Sequence, residues 1–192
     1  AFLTGVRMAS NKLESSSPKI DWVIKKVLDT NRNNPNNKVL IYSQFLDFGS
    51  GPMMARLDRE GVKYGNINGK LSSNKRTEIV QQYNSNEIKV LFISKAGGEG
   101  LDLKGTRHVI LLEPTWNDSN AQQIKGRAIR FGSHTHLPIN ERFVDVWNLR
   151  LDKPDMEERD TDDRRVDKQG EPLGMEGVDT HIYELSRIKK EA

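Results

Sequence analysis

Short, almost wholly apolar segments alternate along the chain with segments whose apolar residues recur at helical spacing. The apolar segments predict β-strands at 38–43, 89–94, 107–113 and 142–149, and a shorter strand near 63–67. Helices are predicted from Ser17-Pro18 onward and over about 52–60, 72–83, 118–131 and 179–190. Strands that alternate with helices and are apolar on both sides favour an α/β fold, a parallel sheet with helices on both faces.

Composition divides the chain into three predicted parts. Residues 1–150 hold the apolar strands and are predicted to form one domain. Residues 151–177 are nearly free of apolar side chains and carry mixed charge with several prolines and glycines, which predicts a mobile acidic insertion. In 178–192, Ile182, Leu185 and Ile188 predict a C-terminal helix that docks on the domain.

The net charge of +3 conceals an uneven distribution. Residues 1–151 carry 22 Lys and Arg against 14 Asp and Glu, whereas 152–179 carry 5 against 11. A basic domain beside an acidic segment suggests a polyanionic partner. An ordinary solvated surface would have the same charge, so charge alone does not decide between the two.

The absence of cysteine excludes several kinds of chemistry. A disulfide framework, a thiolate metal site and a cysteine nucleophile are all ruled out, and a reducing compartment is consistent with this composition. No apolar run approaches the roughly 18 residues that a membrane-spanning helix needs. The first residues lack the flanks of a signal peptide, so no secretion signal and no membrane partner are expected.

Three polar segments follow or connect the predicted strands. In parallel α/β sheets ligands bind at the carboxyl ends of strands, and we expect all three segments there: SQF (43–45), SKAGGEGLDL (94–103) and QQIKGRAIRFG (122–132). The glycines at 97, 98 and 100 allow a backbone to approach a ligand closely, with amides free to face phosphate oxygens.

Arg127 and Arg130 are three residues apart, so both are expected on one face of a helix. Two adjacent guanidinium groups repel each other unless an anion lies between them, and their planar geometry suits phosphate oxygens. Ion pairs with Glu or Asp on a solvated surface are the alternative. His134 and His136 are predicted to lie in a solvated loop rather than in a metal site, and Trp116 and Trp147 to serve packing.

The order of these motifs resembles a known family. SQF resembles motif IV, SKAGGEGLDL resembles motif V, and the QxxGRxxR pattern of Gln123, Gly126, Arg127 and Arg130 resembles motif VI of the second RecA-like lobe of superfamily 2 helicases. EPTWN (113–117) resembles the short block that Swi/Snf-type DNA translocases carry between motifs V and VI. The resemblance covers about 1–150 and 178–192, and it implies a RecA-like parallel sheet of five or six strands.

Some residues depart from the Swi/Snf pattern. Gly126 precedes Arg127, Ile129 stands between the arginines, and Asp102 replaces the common Asn. In these features the chain is more similar to the transcription-linked ATPases of large DNA viruses, of the poxviral nucleoside triphosphatase I type.

The resemblance implies half of an ATPase. GNINGKL (65–71) has the wrong glycine spacing for a phosphate loop and Leu71 in place of the hydroxyl residue, so ATP and Mg²⁺ are expected to bind mainly to an absent N-terminal lobe. The isolated lobe is therefore expected to be inactive. Arg127 and Arg130 would be arginine fingers, with Gln123, Gly100 and Asp102 on the nucleotide side. Contacts to the nucleic-acid backbone would come from Ser43, Gln44, Ser94 and Lys95.

The resemblance also implies the partners. Double-stranded DNA is the expected substrate, the N-terminal ATPase lobe the expected neighbour, and transcription or chromatin machinery the expected setting, in the nucleus or, for a viral protein, in host cytoplasm or virion. An RNA helicase lobe and a non-catalytic nucleic-acid-binding lobe are the alternatives. Both arginines argue against a simple clamp, which has no use for ligands to the γ-phosphate.

Overall fold

The fold is described from a computed structural model over residues 17–96, 100–114, 118–130 and 132–151, without the side chains of 118–121. The helices are α1 (Pro18–Asn33), α2 (Gly51–Arg59), α3 (Ser73–Asn84) and α4 (Asp118–Ala128). The strands are β1 (Lys38–Tyr42), β2 (Tyr64–Ile67), β3 (Val90–Ile93), β4 (Thr106–Leu111) and β5 (Asp145–Asn148). A π-helical segment, Leu46–Ser50, precedes α2, and a 3₁₀ turn, Ile139–Glu141, precedes β5.

The five strands form one parallel sheet in the order β2-β3-β1-β4-β5. The central strand β1 is buried along its whole length, as its continuous apolar sequence predicts. Because all strands run in the same direction, their carboxyl ends lie at one edge of the sheet and their amino ends at the other. The expectation of a parallel sheet with five or six strands is confirmed.

Side-chain alternation along the strands builds one hydrophobic core on each face. On one face, Val39 and Ile41 of β1 pack with the apolar sides of α1 and α2. On the other face, Leu40 and Tyr42 pack with α3 and α4, where Tyr83 and Ala128 are completely buried. The helices therefore cover both faces, as the pattern predicts.

Local sequence sets the helix starts. Ser17 caps α1 by accepting a hydrogen bond from the Ile20 amide, and Pro18 occupies the first turn, where no amide proton is needed. Ser72 caps α3 in the same way through the Lys75 amide. The predicted helix over 118–131 ends earlier than expected, at Ala128.

The predicted acidic insertion 151–177 and the C-terminal helix 178–192 lie outside the described residues, apart from Leu151. So do the N-terminal segment 1–16, Gly97, Gly98 and Trp116. Within the part of the chain that the structure covers, none of the helices combines the length and the apolar character that a bilayer crossing demands.

Candidate functional site

The predicted site residues divide between the two edges of the sheet. We define the carboxyl edge by the loops 43–45, 94–96 and 112–114, which follow β1, β3 and β4. The amino edge comprises the loop 100–105, which leads into β4, and the turn 129–136, which follows α4. Ser43, Gln44, Ser94 and Lys95 belong to the carboxyl edge. Asp102 and Arg130 belong to the amino edge, where they lie beside each other.

A buried carboxylate organises the carboxyl edge. Glu113 is only 1% exposed, and its Oε1 accepts a 2.8 Å hydrogen bond from the Ser43 hydroxyl. Its Oε2 accepts a 3.0 Å bond from the Gln44 amide. Both bonds join loops that are about 70 residues apart in sequence. Hydrogen bonds to a buried charge are stronger than neutral ones, so Glu113 fixes the loop after β1 to the loop after β4.

Gly49 is part of the same arrangement. A methyl group on Gly49 would overlap the Ser43 hydroxyl and lie 3.2 Å from Glu113 Oε1. The π-helical segment Leu46–Ser50 thus brings its backbone against the Ser43–Glu113 bond, and only glycine leaves the space for this approach. The sequence pattern contains no sign of this requirement, because it arises from contacts between distant loops.

The predicted nucleic-acid residues differ in how accessible they are. Ser43 is buried and its hydroxyl serves the loop, whereas Gln44 and Ser94 are half-buried and Lys95 is exposed. The Gln44 side-chain amide reaches Pro114 O at 3.5 Å. The turn 94–96 rests on the loop after β2, since a methyl group on Gly69 would lie 2.8 Å from Ala96 Cβ. Lys95 is therefore presented by a supported turn.

The loop 100–105 is anchored so that Asp102 faces outward. Leu101 and Leu103 are buried in the core, which turns the side chain between them toward solvent. Asn84, the last residue of α3, donates to Asp102 O at 2.9 Å and accepts from the Lys104 amide at 2.8 Å. Gly100 has a φ of +73°, a conformation that glycine adopts without strain. The backbone of residues 101–104 at the amino edge is thus held in place by Asn84 and by the buried Leu101 and Leu103.

Helix α4 directs two predicted residues away from the core. Ile124 and Ala128 are buried, whereas Gln123 is exposed and Arg127 is half-buried. The Arg127 side chain makes no hydrogen bond or ion pair with any residue that the structure describes. Arg130 is 60% exposed, and its Nη1 lies 3.8 Å from Asp102 Oδ1.

Two expectations about this helix need correction. Arg130 does not share a helical face with Arg127, because α4 ends at Ala128, two residues before Arg130. The arginine-bearing end also does not lie at the carboxyl edge. The helix runs antiparallel to the strands, so its last turn reaches the amino edge, where Ser133 O accepts from the Gly105 amide at 2.9 Å.

His134 lies in a turn, as predicted, but it is less solvated than expected. His134 is half-buried, its Nε2 lies 2.7 Å from Thr106 O, and its Nδ1 lies 2.7 Å from the Ser133 hydroxyl. Ser133 is 3% exposed, and its hydroxyl also approaches Ala128 O at 3.2 Å. A serine that follows an arginine-rich helix is the sequence signal that could have identified this contact, because serine hydroxyls bond to free helix-end carbonyls.

Burial perturbs the ionisable groups beneath the amino edge. It lowers the pKa of Lys38 to about 8 and raises the pKa of Tyr83 above its ordinary value. The Lys38 ammonium donates to Tyr83 O at 2.9 Å, and the Tyr83 hydroxyl bonds to Thr106 Oγ1 at 2.9 Å. Burial, followed by nearby cations, lowers the pKa of His136. Thr106, the first residue of β4, is thus hydrogen-bonded to Tyr83, which in turn is hydrogen-bonded to the buried Lys38.

Two further side chains, Trp147 and His108, belong to neither of the two edges defined above. Trp147 packs against Trp22 at a ring-centroid distance of 5.2 Å, which agrees with the predicted packing role. Burial lowers the pKa of His108 to about 4, so this imidazole is neutral beside Asp145 at physiological pH. Among the described residues, no three His, Asp or Glu side chains come close enough together to hold a metal ion.

Comparison with known proteins gives this arrangement a context. The helicase conserved C-terminal domain family matches residues 18–132. A protein of Acanthamoeba polyphaga mimivirus, L538, whose name describes an ATP-dependent RNA helicase, is 43% identical over 148 residues, which are 76% of this chain and 32% of that protein. A termination factor NPH-I homolog of African swine fever virus is 32% identical over 183 residues, covering 68% of this chain and 25% of that protein.

Further similarities extend to a poxvirus and to solved structures. Nucleoside triphosphatase I of Melanoplus sanguinipes entomopoxvirus is 34% identical over 119 residues, 59% of this chain and 18% of that protein. The crystal structure of the C-terminal part of the Fun30 ATPase domain superposes with a TM-score of 0.58 at 26% identity, over 70% of this chain and 41% of that one. The Pyrococcus furiosus Hef helicase domain shares the fold, with a TM-score of 0.51 at 22% identity, over 69% of this chain and 26% of that one.

These similarities confirm the RecA-like architecture. The chain spans about a third or less of the length of the three viral relatives.

Proposed function

The chain belongs to the helicase conserved C-terminal domain family, and from this premise we propose that it is the second motor lobe of an ATP-dependent nucleic-acid translocase. An N-terminal lobe would hold ATP and Mg²⁺, and this lobe would close on them with its amino edge. The loops of the carboxyl edge would grip the phosphodiester backbone of double-stranded DNA. The whole protein would be an ATP hydrolase, and this lobe alone would be inactive.

The loosely paired guanidinium group of Arg130 carries the proposal. Its contact with Asp102 is 3.8 Å long, and both side chains are more than half exposed. Such a solvent-exposed pair contributes only about 0–1 kcal/mol, so an incoming phosphate can replace the carboxylate at little cost. Arg127, without an ionic partner among the described residues, adds a second guanidinium group on this side. Charge that develops on a transferring phosphoryl group needs such ligands.

The remaining nucleotide-side residues would act around the arginines. Gln123, exposed one helical turn before Arg127, would position the nucleotide or the arginine pair. Asp102 would hold Arg130 in place until nucleotide binds, and the backbone at Gly100 would let the cleft close tightly.

The nucleic-acid contacts would divide between direct and supporting roles. Lys95, Ser94 and Gln44 would meet phosphate oxygens, because they are at least partly exposed on adjacent loops. Ser43 would act through the loop, since its hydroxyl is committed to Glu113. Contacts of this kind bind the backbone without reading base sequence.

The proposed division between arginine fingers and nucleic-acid contacts is tested by measuring ATP turnover and DNA affinity separately in each variant. In a protein with both lobes, Arg127→Ala or Arg130→Ala should lower DNA-stimulated ATP turnover by about 10³-fold or more, with DNA affinity unchanged within a few fold. Lysine should restore little, since it lacks the planar fork. Arg59→Ala, at an exposed arginine in the last turn of α2, is the matched control. Equal losses of affinity and turnover would place the arginines in the nucleic-acid groove instead.

The complementary variant removes two groups at the carboxyl edge. The double substitution Ser94→Ala, Lys95→Ala should weaken DNA binding, and much of the turnover should return at saturating DNA. Because Lys95 would displace condensed counterions, Lys95→Ala alone should reduce the slope of log affinity against log salt by about one. Lys63→Ala, at an exposed lysine before β2, should leave that slope unchanged.

RNA is the second candidate substrate. The mimivirus relative, at 43% identity, has a name that describes an RNA helicase, whereas the Swi/Snf-like SQF and EPTWN segments favour duplex DNA. Stimulation of ATP turnover by duplex DNA, duplex RNA and single strands, compared at equal nucleotide concentration, separates the candidates. Stronger stimulation by RNA would reject the DNA assignment. Among the partners, the names of the NPH-I relatives favour transcription machinery over chromatin.

A further inference from the structure

Ser133 holds the chain on both sides of Arg130. Its hydroxyl lies 3.2 Å from Ala128 O, two residues before the arginine, and its amide donates to Arg130 O at 3.0 Å. Its own carbonyl accepts from the Gly105 amide at 2.9 Å, next to the first residue of β4. Three bonds from one buried serine therefore fix the backbone from which Arg130 projects.

His134 connects this serine to the sheet. Its Nε2 lies 2.7 Å from Thr106 O, and because a carbonyl can only accept, Nε2 carries a proton. In the neutral imidazole Nδ1 is then an acceptor, and it lies 2.7 Å from the Ser133 hydroxyl. The Ser133 hydroxyl has one proton, so it can donate either to His134 Nδ1 or to Ala128 O, but not to both. With a second proton on the imidazole, Nδ1 donates to Ser133, and the hydroxyl is free to cap Ala128 O.

We propose that Ser133 and His134 are positioning residues for Arg130. The proposal rests on the proposed function, in which Arg130 meets the γ-phosphate. Neither side chain would touch the nucleotide. They would set the direction of the arginine by fixing the turn after α4 to the first residue of β4. Small displacements of a catalytic group reduce rate strongly, so loss of either contact should appear in turnover.

The experiment measures kcat and KM for ATP in a protein with both lobes. His134→Asn and Ser133→Ala should lower kcat by about three- to tenfold, with KM within about twofold, because bonds that fix the turn after α4 are lost.

Matched controls separate positioning from general damage. His136→Asn changes the exposed histidine of the same turn, and Ser85→Ala removes a hydroxyl that bonds the Gln82 carbonyl at the end of α3. Both should keep wild-type kcat, and thermal unfolding should verify that all variants are folded.

The outcomes distinguish the two levels of the proposal. If Arg130→Ala leaves turnover intact, the proposed function fails. If Arg130→Ala abolishes turnover but His134→Asn and Ser133→Ala keep wild-type kcat, the positioning role is overturned.

Discussion

The two edges of the sheet use their polar residues in opposite ways. At the carboxyl edge, Ser43, one of the predicted ligand residues, is buried and bonded to Glu113, whereas Gln44 and Ser94 are half-buried and Lys95 is exposed. At the amino edge the internal bonds are made by Asn84, Ser133 and His134, and the charged ends of Asp102 and Arg130 stay in solvent. The carboxyl edge can therefore bind a partner through several similar polar contacts on fixed loops. The amino edge instead presents individual charged side chains from a fixed backbone.

The energetic consequences of this difference are also opposite. Glu113 is a buried acidic residue whose side chain accepts two hydrogen bonds from the loop after β1, so its loss should disturb the fold. The Asp102–Arg130 pair is exposed and long, so its loss should disturb almost nothing but function. Substitutions at the two edges should therefore differ in whether they affect the free energy of unfolding or the activity.

The largest effect is expected at Glu113. Glu113→Ala leaves the Gln44 main-chain amide without its acceptor and the Ser43 hydroxyl with only Phe45 O, which should lower the free energy of unfolding by about 2–4 kcal/mol. Chemical denaturation measures this loss. Gly49→Ala should weaken the same contact from the other side, by about 1–3 kcal/mol, because the added methyl group overlaps the Ser43 hydroxyl. Gly61→Ala is a glycine control, with open space at the Cβ position and a φ of +67° that costs only local strain.

If Glu113→Ala were as stable as the wild type, the carboxyl edge would not depend on its buried carboxylate, and the contrast between the edges would disappear. If Glu113→Ala were destabilised but bound nucleic acid as tightly as the wild type, the loop after β1 would bind nucleic acid without the support of Glu113.

A pH dependence of intermediate size is expected from Lys38 beneath the amino edge. Burial lowers its pKa to about 8 from the unfolded value of 10.5, so between these values the unfolded chain binds more protons than the folded one. The contribution of Lys38 to stability therefore rises with pH across this window. Lys38→Met should remove the rise, which is on the order of 2 kcal/mol, and the two proteins should be compared by denaturation at about pH 8 and about pH 10. Parallel stability curves would show that Lys38 is not desolvated.

The smallest change in stability is expected for Asp102→Asn. The free energy of unfolding should stay within about 0.5 kcal/mol, because the ion pair with Arg130 is long and exposed on both sides. If the carboxylate holds Arg130 until nucleotide arrives, turnover should change while stability does not. A loss of more than about 1 kcal/mol would mean that the pair is structural, and the two edges would then be alike.

Sequence reasoning was most successful where structure is local. The five strands appear where apolar runs predicted them, and Ser17, Pro18 and Ser72 begin helices as expected. The ordered motifs identified the C-terminal lobe of a superfamily 2 helicase, which the matching family and relatives confirm. The roles of the individual site residues and the acidic insertion 151–177 stay predictions.

The errors occurred where a helix end or a distant contact decided the outcome. The arginine spacing predicted one helical face, but the helix ends at Ala128, where the Ser133 hydroxyl bonds back to the helix end. His134 was expected in solvent, and its partner Thr106 lies 28 residues earlier in the chain. Local periodicity carries no information about such partners.

The sequence by itself determined the architecture, because apolar spacing and helix caps act between neighbours and each segment can satisfy them alone. It also determined which residue types are available for phosphate chemistry. Only the tertiary structure decided that these residues separate onto two edges, since the direction of α4 relative to the strands sets where its arginines end. Likewise, only packing could decide that Glu113, Gly49 and Ser133 support the site. Their bonds join segments that become neighbours only when the sheet forms and both of its faces are covered.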